Sequence, residues 1–122
     1  MPKPKPDRRY VDFLIEQFSP LGEITDRFMM GGWCLYCDGV IFGLAADGAL
    51  FLKGDDVNIP RFAARGLKPF QPFADQPLTM KYFQTPPEVF EDPAAMRDWV
   101  GGAVEAGRRA SRKKPGRKKP KA

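Results

Sequence analysis

Residues 33–53 read WCLYCDGVIFGLAADGALFLK. Two Asp-Gly pairs, Asp38-Gly39 and Asp47-Gly48, cut this stretch into three short runs of apolar and β-prone residues. Asp-Gly tolerates the positive φ angles that two-residue hairpin turns require. The pattern predicts a three-strand meander over about 32–37, 40–46 and 49–53. With two-residue turns, Trp33, Leu35, Cys37, Val40, Phe42, Leu44 and Phe51 share one face, and Cys34, Tyr36, Ile41, Leu50 and Leu52 the other. Both faces are apolar, so either helices cover both or one face meets a partner subunit.

The first strand of that meander holds both cysteines of the chain, in a Trp-Cys-x-x-Cys string similar to that of thiol–disulfide oxidoreductases. Strand geometry argues against that chemistry. Residues three apart on a strand face opposite ways, with Cα atoms roughly 10 Å apart at ~3.4 Å per residue. A disulfide needs less than about 7 Å. The redox motif also relies on a helix N-terminus to lower the thiol pKa, and here an Asp-Gly turn follows instead. Cys34 and Cys37 therefore read as small buried residues. A zinc site lacks a second cysteine pair, and the chain has no His. No metal or other cofactor is expected.

Before the meander, Glu23–Met30 reads as a further strand ahead of the bend at Gly31-Gly32. Ahead of it, Tyr10, Val11, Leu14, Ile15 and Phe18 recur at helical spacing, with Asp7 as cap and Ser19-Pro20-Leu21-Gly22 as the stop. Beyond the meander, Asp55 or Asp56 caps a helix to about Arg65, ended by Gly66, with Pro60 tolerable only in the first turn. Leu67–Pro77 reads as a Pro-rich loop with Phe70 and Phe73 turned inward. Leu78–Thr85 reads as a strand ended by Pro86-Pro87. Asp92-Pro93 opens a last helix with an apolar stripe of Met96, Trp99, Val100 and Val104, which frays near Gly107. The fold class is thus α+β: a twisted antiparallel sheet, with the meander over about 24–53 and a strand over about 78–85, packed with N-terminal, middle and C-terminal helices. The expected organisation is an extended arm (residues 1–6), one domain (7–107) and a disordered basic segment (108–122).

The net charge of +5 conceals an asymmetry. Residues 108–122 hold nine bases and no acid: Arg108, Arg109, Arg112, Lys113, Lys114, Arg117, Lys118, Lys119 and Lys121. Residues 10–107 hold seven bases and fourteen acids, a net charge of −7. An acidic globule carries a basic segment. No stretch reaches the ~18 apolar residues of a membrane span, and no apolar run follows the N-terminal charges, so a cytoplasmic protein without membrane contact is expected.

The strings SPLGEITDRFMMGGWCLYCDGVIFGLAADGALFLK, RFAARGLKPF and MKYFQTPPEVFEDPAAMRDWV resemble, in that order, the N-terminal domain of TfoX/Sxy proteins, regulators of bacterial competence. The resemblance covers about residues 7–105, with Arg27, Met29, Gly31, Gly32 and Tyr36 among the matching positions. The chain departs from the family where Met30 replaces a Phe and Cys34 a common Gly. The resemblance implies a secretion-chaperone-like α+β fold and no enzymatic activity. Longer relatives carry a second helical domain and act with the cyclic-AMP receptor protein at competence promoters. These 122 residues contain no such second domain, so the competence role is not carried over whole.

Function then rests on two groups of residues. The nine bases of the C-terminal segment suit sequence-neutral contact with nucleic-acid phosphates. The other readings are a solubilising segment, contact with an acidic protein or membrane surface, and folding back on the acidic body. Pro115–Pro120, PGRKKP, only loosely resembles the minor-groove AT-hook, because Pro115 replaces the leading Arg. Arg27, with Met29, Gly31, Gly32 and Tyr36, is a candidate contact for a protein partner or a homodimer through the sheet body. The alternative for Arg27 is an ion pair with Glu23, Asp26 or Asp38. Asp38, Asp47, Asp55, Asp56, Glu91 and Asp92 fall at turns and caps, and no pair is spaced for acid–base catalysis. A transcription or competence regulator is the leading expectation. A protein-interaction adaptor without nucleic-acid contact is the alternative.

Overall fold

The computed structural model describes residues 8–29, 32–46, 48–71 and 80–112 of the 122-residue chain. Six strands form one antiparallel sheet: β1 (Ile24–Met29), β2 (Gly32–Cys37), β3 (Val40–Ala46), β4 (Ala49–Lys53), β5 (Pro69–Phe70) and β6 (Met80–Gln84). Their order across the sheet is β1-β2-β3-β4-β6-β5. Three helices accompany them: α1 (Arg9–Phe18), α2 (Ile59–Ala64) and α3 (Pro93–Arg112).

The meander falls where the Asp-Gly pairs place it. Asp38 and Gly39 both take positive φ, 50° and 83°, the conformation a tight hairpin needs. Asp38 also ties this turn to the start of β1. Its Oδ1 accepts from the Glu23 N–H at 2.9 Å, and its own N–H donates to the Glu23 carbonyl at 2.9 Å.

One residue upsets the expected division of faces. Leu35 pairs with Gly43, yet Tyr36 pairs with Ile41, so Phe42 is an extra residue on β3, a β-bulge. From there the alternation is reversed. Leu50 and Leu52 join Trp33, Leu35, Cys37 and Phe42 on the side that carries the core, whereas Leu44 and Phe51 share the side of Cys34, Tyr36 and Ile41. The core side receives the helices: Val11, Leu14 and Phe18 from α1, Phe62 from α2, and Met96, Trp99, Val100, Ala103 and Val104 from α3. Of the two alternatives for the apolar faces, helices on both is thus corrected for the described residues, whose helices all pack on one.

Other expectations shift by a few residues. Arg8, not Asp7, occupies the cap position of α1, and Asp7 lies outside the described residues. The middle helix is short, because residues 55–58 form a turn rather than its first turn, with Asn58 at the cap position and Pro60 in the first turn. Pro69 and Phe70 pair with β6 as a two-residue strand inside the expected loop. Phe70 rests against Phe51 with ring centroids 4.9 Å apart, while Phe73, Leu78 and Thr79 lie outside the described residues. Most importantly, α3 does not fray at Gly107 but continues to Arg112.

Candidate nucleic-acid interface

The structure divides the basic segment in two. Arg108, Arg109 and Arg112 stand on the last turns of α3, whereas Lys113, Lys114, Arg117, Lys118, Lys119 and Lys121 lie outside the described residues. The expected disorder from residue 108 therefore does not hold for 108–112, because packing carries the helix past its glycines. Asp92 starts α3, its Oδ1 accepting from the Ala94 N–H at 3.1 Å. Gly107 is buried against β3 so closely that a Cβ would overlap the Ile41 carbonyl oxygen and come within 2.7 Å of Val40 Cγ1. Ala106 beside it is also buried. Two small residues thus bring the helix end down onto the sheet.

The next residue but one locks it there. Arg109 Nε and Nη2 donate to Asp55 Oδ2 and Oδ1 at 2.6 and 3.0 Å, a bidentate pair with both side chains mostly buried. Asp55 is itself fixed, its Oδ1 accepting from the N–H groups of Val57 and Asn58. Asn58, buried despite being polar, completes the knot: its Oδ1 accepts from the Asp55 N–H at 2.7 Å and its Nδ2 donates to the Lys53 carbonyl at 3.1 Å. The Arg109 guanidinium, with help from those backbone N–H groups, holds the Asp55 carboxyl down to about 2. Arg108 pairs with Glu105 of its own helix at 3.2 Å, and Arg112 is exposed.

Beside this knot lies a small cleft of about 210 Å3, lined by Lys53, Gly54, Asp55, Asp56, Lys81 and Ala110. Its two strand segments are joined by the Gly54 N–H donating to the Lys81 carbonyl at 2.8 Å. Composition alone missed Lys81 because it stands 27 residues before Arg108, and only the β4–β6 pairing brings it to the end of α3.

Of the other candidate residues, Arg27 and Met29 stand on β1 and Gly32 and Tyr36 on β2. Arg27 is exposed and pairs across the sheet with Cys34, on the face away from the helices. Two of its three expected acidic partners are engaged elsewhere: Asp26 accepts from Arg8 at 2.8 Å, and Asp38 from the Glu23 N–H. No ion pair of Arg27 occurs among the described residues. Tyr36 is half-buried on the same face. Gly32 is buried, and a Cβ there would meet the Ala45 carbonyl oxygen at 2.9 Å. Met29 ends β1, and Gly31 lies outside the described residues.

Cys34 and Cys37 are free and buried on opposite faces. Burial pushes both thiols up, away from the thiolate that redox chemistry needs.

Residues 16–107 match the TfoX N-terminal domain, from the last turns of α1 to the glycine on which α3 meets β3. The chain belongs to the TfoX N-terminal domain family. No curated protein matches it. The family is not a known enzymatic one, and membership supports at most a regulatory domain. The matched region stops where the basic segment starts, so the nine bases are an addition to the TfoX-like body. Among the described residues, no helix is long and apolar enough to cross a membrane.

Proposed function

We propose that this TfoX-like domain is a non-catalytic, cytoplasmic regulator, held on nucleic acid by the basic segment that follows its last helix. The observation that carries this reading is the charge separation: nine bases without an acid in residues 108–122, attached to a body of net charge −7. Such a segment lies along phosphates and releases counterions, with little sequence preference. The acidic body is repelled by the same phosphates and stays free to meet a protein partner.

The test is duplex binding across a salt series, with the full chain compared with one stopped after Arg112. That boundary keeps the Arg109–Asp55 pair and all of α3. Truncation removes six bases, so the log–log salt slope should fall by up to about 5 units at ~0.9 per phosphate contact. A full chain that does not bind near physiological salt defeats the proposal.

A second reading, a protein-interaction adaptor with no nucleic-acid contact, has one observation in its favour. Phe13 is 44% exposed, one of two large hydrophobics so exposed among the described residues. It lines a groove between α1 and the start of α3 that is rimmed by Glu16, Glu91 and Asp92. Silence in the salt series with retention of a protein partner by the full chain would favour this reading. A homodimer through the sheet body belongs here too, and sedimentation of the full chain tests it.

A further inference from the structure

Tyr10, Val11, Leu14, Ile15 and Phe18 turn α1 toward the sheet, and Phe13 falls outside that stripe. Phe13, Glu16 and Gln17 stand at i, i+3 and i+4, so they share a second face of the helix. Pro93, Met96 and Arg97 repeat that spacing on the first turns of α3. These two faces line one groove of about 450 Å3, to which Phe90, Glu91 and Asp92 also contribute. Its apolar part is continuous with the core. The Phe13 ring centroid lies 6.2 Å from that of Phe90, and the Phe90 centroid 6.5 Å from that of buried Phe18. Phe13, at the outer end of this row of rings, stays 44% exposed. Aromatic anchors of this kind dominate the energetics of protein interfaces.

The charge around the groove is one-sided. Its lining side chains carry three carboxylates and one guanidinium, that of Arg97. Asp92 is spent on the helix start: its Oδ1 accepts from the Ala94 N–H, which offsets the partial positive charge at that end of α3. Glu16 and Glu91 are exposed, and no ion pair of either occurs among the described residues. The net charge of −7 over residues 10–107 draws cationic partners to this body.

We infer that the groove takes a segment of a partner protein in which apolar side chains are flanked by Lys or Arg. The apolar side chains pack against Phe13 and Phe90, and the basic ones meet Glu16 and Glu91. The inference rests on the protein-interaction reading above and gives that partner a place and a chemistry. Residues 108–122 of the chain match the groove in charge but offer no apolar side chain larger than proline, so they lack the anchor.

The probe is a labelled peptide with Phe and Leu at its centre and Lys on either side. One comparison peptide has Glu for Lys, and another has Ser for Phe and Leu. The full chain should bind the first saturably and the other two about tenfold more weakly or worse. Phe13→Ser, and separately the double variant Glu16→Lys with Glu91→Lys, should each weaken the first peptide about tenfold. Asp56→Lys reverses a charge beside Ala110, at the other end of α3, and should change binding less than about twofold, because salt screens it at that distance. Melting temperatures are measured alongside. If Phe13→Ser melts early, the charge-reversed variant, which removes no core packing, decides.

No saturable binding of the first peptide up to about 1 mM overturns the inference. Equal binding of the Glu-flanked peptide overturns it too. Binding that both groove variants leave unchanged moves the contact to another surface, so the inference falls while the protein-interaction reading stands. That reading itself falls only if the full chain retains no protein partner. A chain stopped after Arg112 that binds the peptide much more tightly than the full chain would make residues 113–122 the occupant, and would overturn the partner assigned here.

Discussion

Arg109 and Asp55 are 54 residues apart in sequence and meet in a bidentate pair that ties the end of α3 to the turn before α2. Its pH dependence has a definite sign. The Asp55 carboxyl is held down to about 2 in the fold and returns to the ordinary carboxylate range, near 4, when the chain unfolds. The pair therefore stabilises the fold fully above about pH 5, and that contribution is lost as pH falls through about 2. Arg109→Gln should lower stability at pH 7, and the gap from wild type should close on acidification from about pH 5 to 2. Urea denaturation at a series of pH values checks it. A gap that stays constant to pH 2 would mean that the pair contributes packing and no charge linkage.

Gly107 and Gly101 make opposite predictions from one helix. A Cβ on Gly107 overlaps the Ile41 backbone, which cannot move aside as a flexible side chain would. Gly107→Ala should cost about 2 kcal/mol or more through overpacking. Gly101 has no neighbouring atom within 4 Å of where a Cβ would stand. Gly101→Ala should raise stability by about 0.5–1 kcal/mol, the helix-propensity gain of alanine over glycine. Thermal melts of the two single variants test the pair.

Local rules made the meander legible, and long-range packing hid the rest. Asp38-Gly39 carries its turn geometry in two residues, so β2 and β3 could be bounded from sequence. The Phe42 bulge carries no such signal: it follows from how β3 registers against β2, and it moved Leu44, Leu50, Phe51 and Leu52 to the faces opposite those expected. The end of α3 was misjudged for a related reason. Gly107 reads as a helix-ending residue by propensity, yet it is the close approach to Ile41 that needs a glycine there. Of the candidate site, the nine bases were visible as composition. That Arg109 is engaged by Asp55, and that Lys81 lies beside them, depends on strand pairing.

The bulge yields its own test. Phe42 is the extra residue of β3, yet its side chain is fully buried and meets Phe18 edge-on, with centroids 6.0 Å apart at 72°. Phe51, on the other face, is only half-buried. Phe42→Ala should cost about 3–5 kcal/mol, the usual range for a core phenylalanine, and Phe51→Ala clearly less. Denaturant titration of both variants checks the order. Equal costs would show that both faces carry comparable cores.

The cysteines give the last prediction. Cys34 pairs across the sheet with Arg27 and Leu44, and Cys37 with Ile24 and Val40, so their side chains leave opposite faces of β2. No rotamer change brings two such sulfurs into bonding distance without breaking the strand. Cys37 also directs its Sγ–H toward the Leu21 carbonyl at 3.7 Å. Both thiols are buried, and burial raises the pKa of each, so little thiolate is present near neutrality. A thiol-reactive reagent should label the native chain slowly and label both cysteines at once in denaturant. The melting temperature should be the same with and without reductant. Rapid labelling of one thiol in the native state, or a melt that reductant lowers, would return the Trp-Cys-x-x-Cys string to redox chemistry.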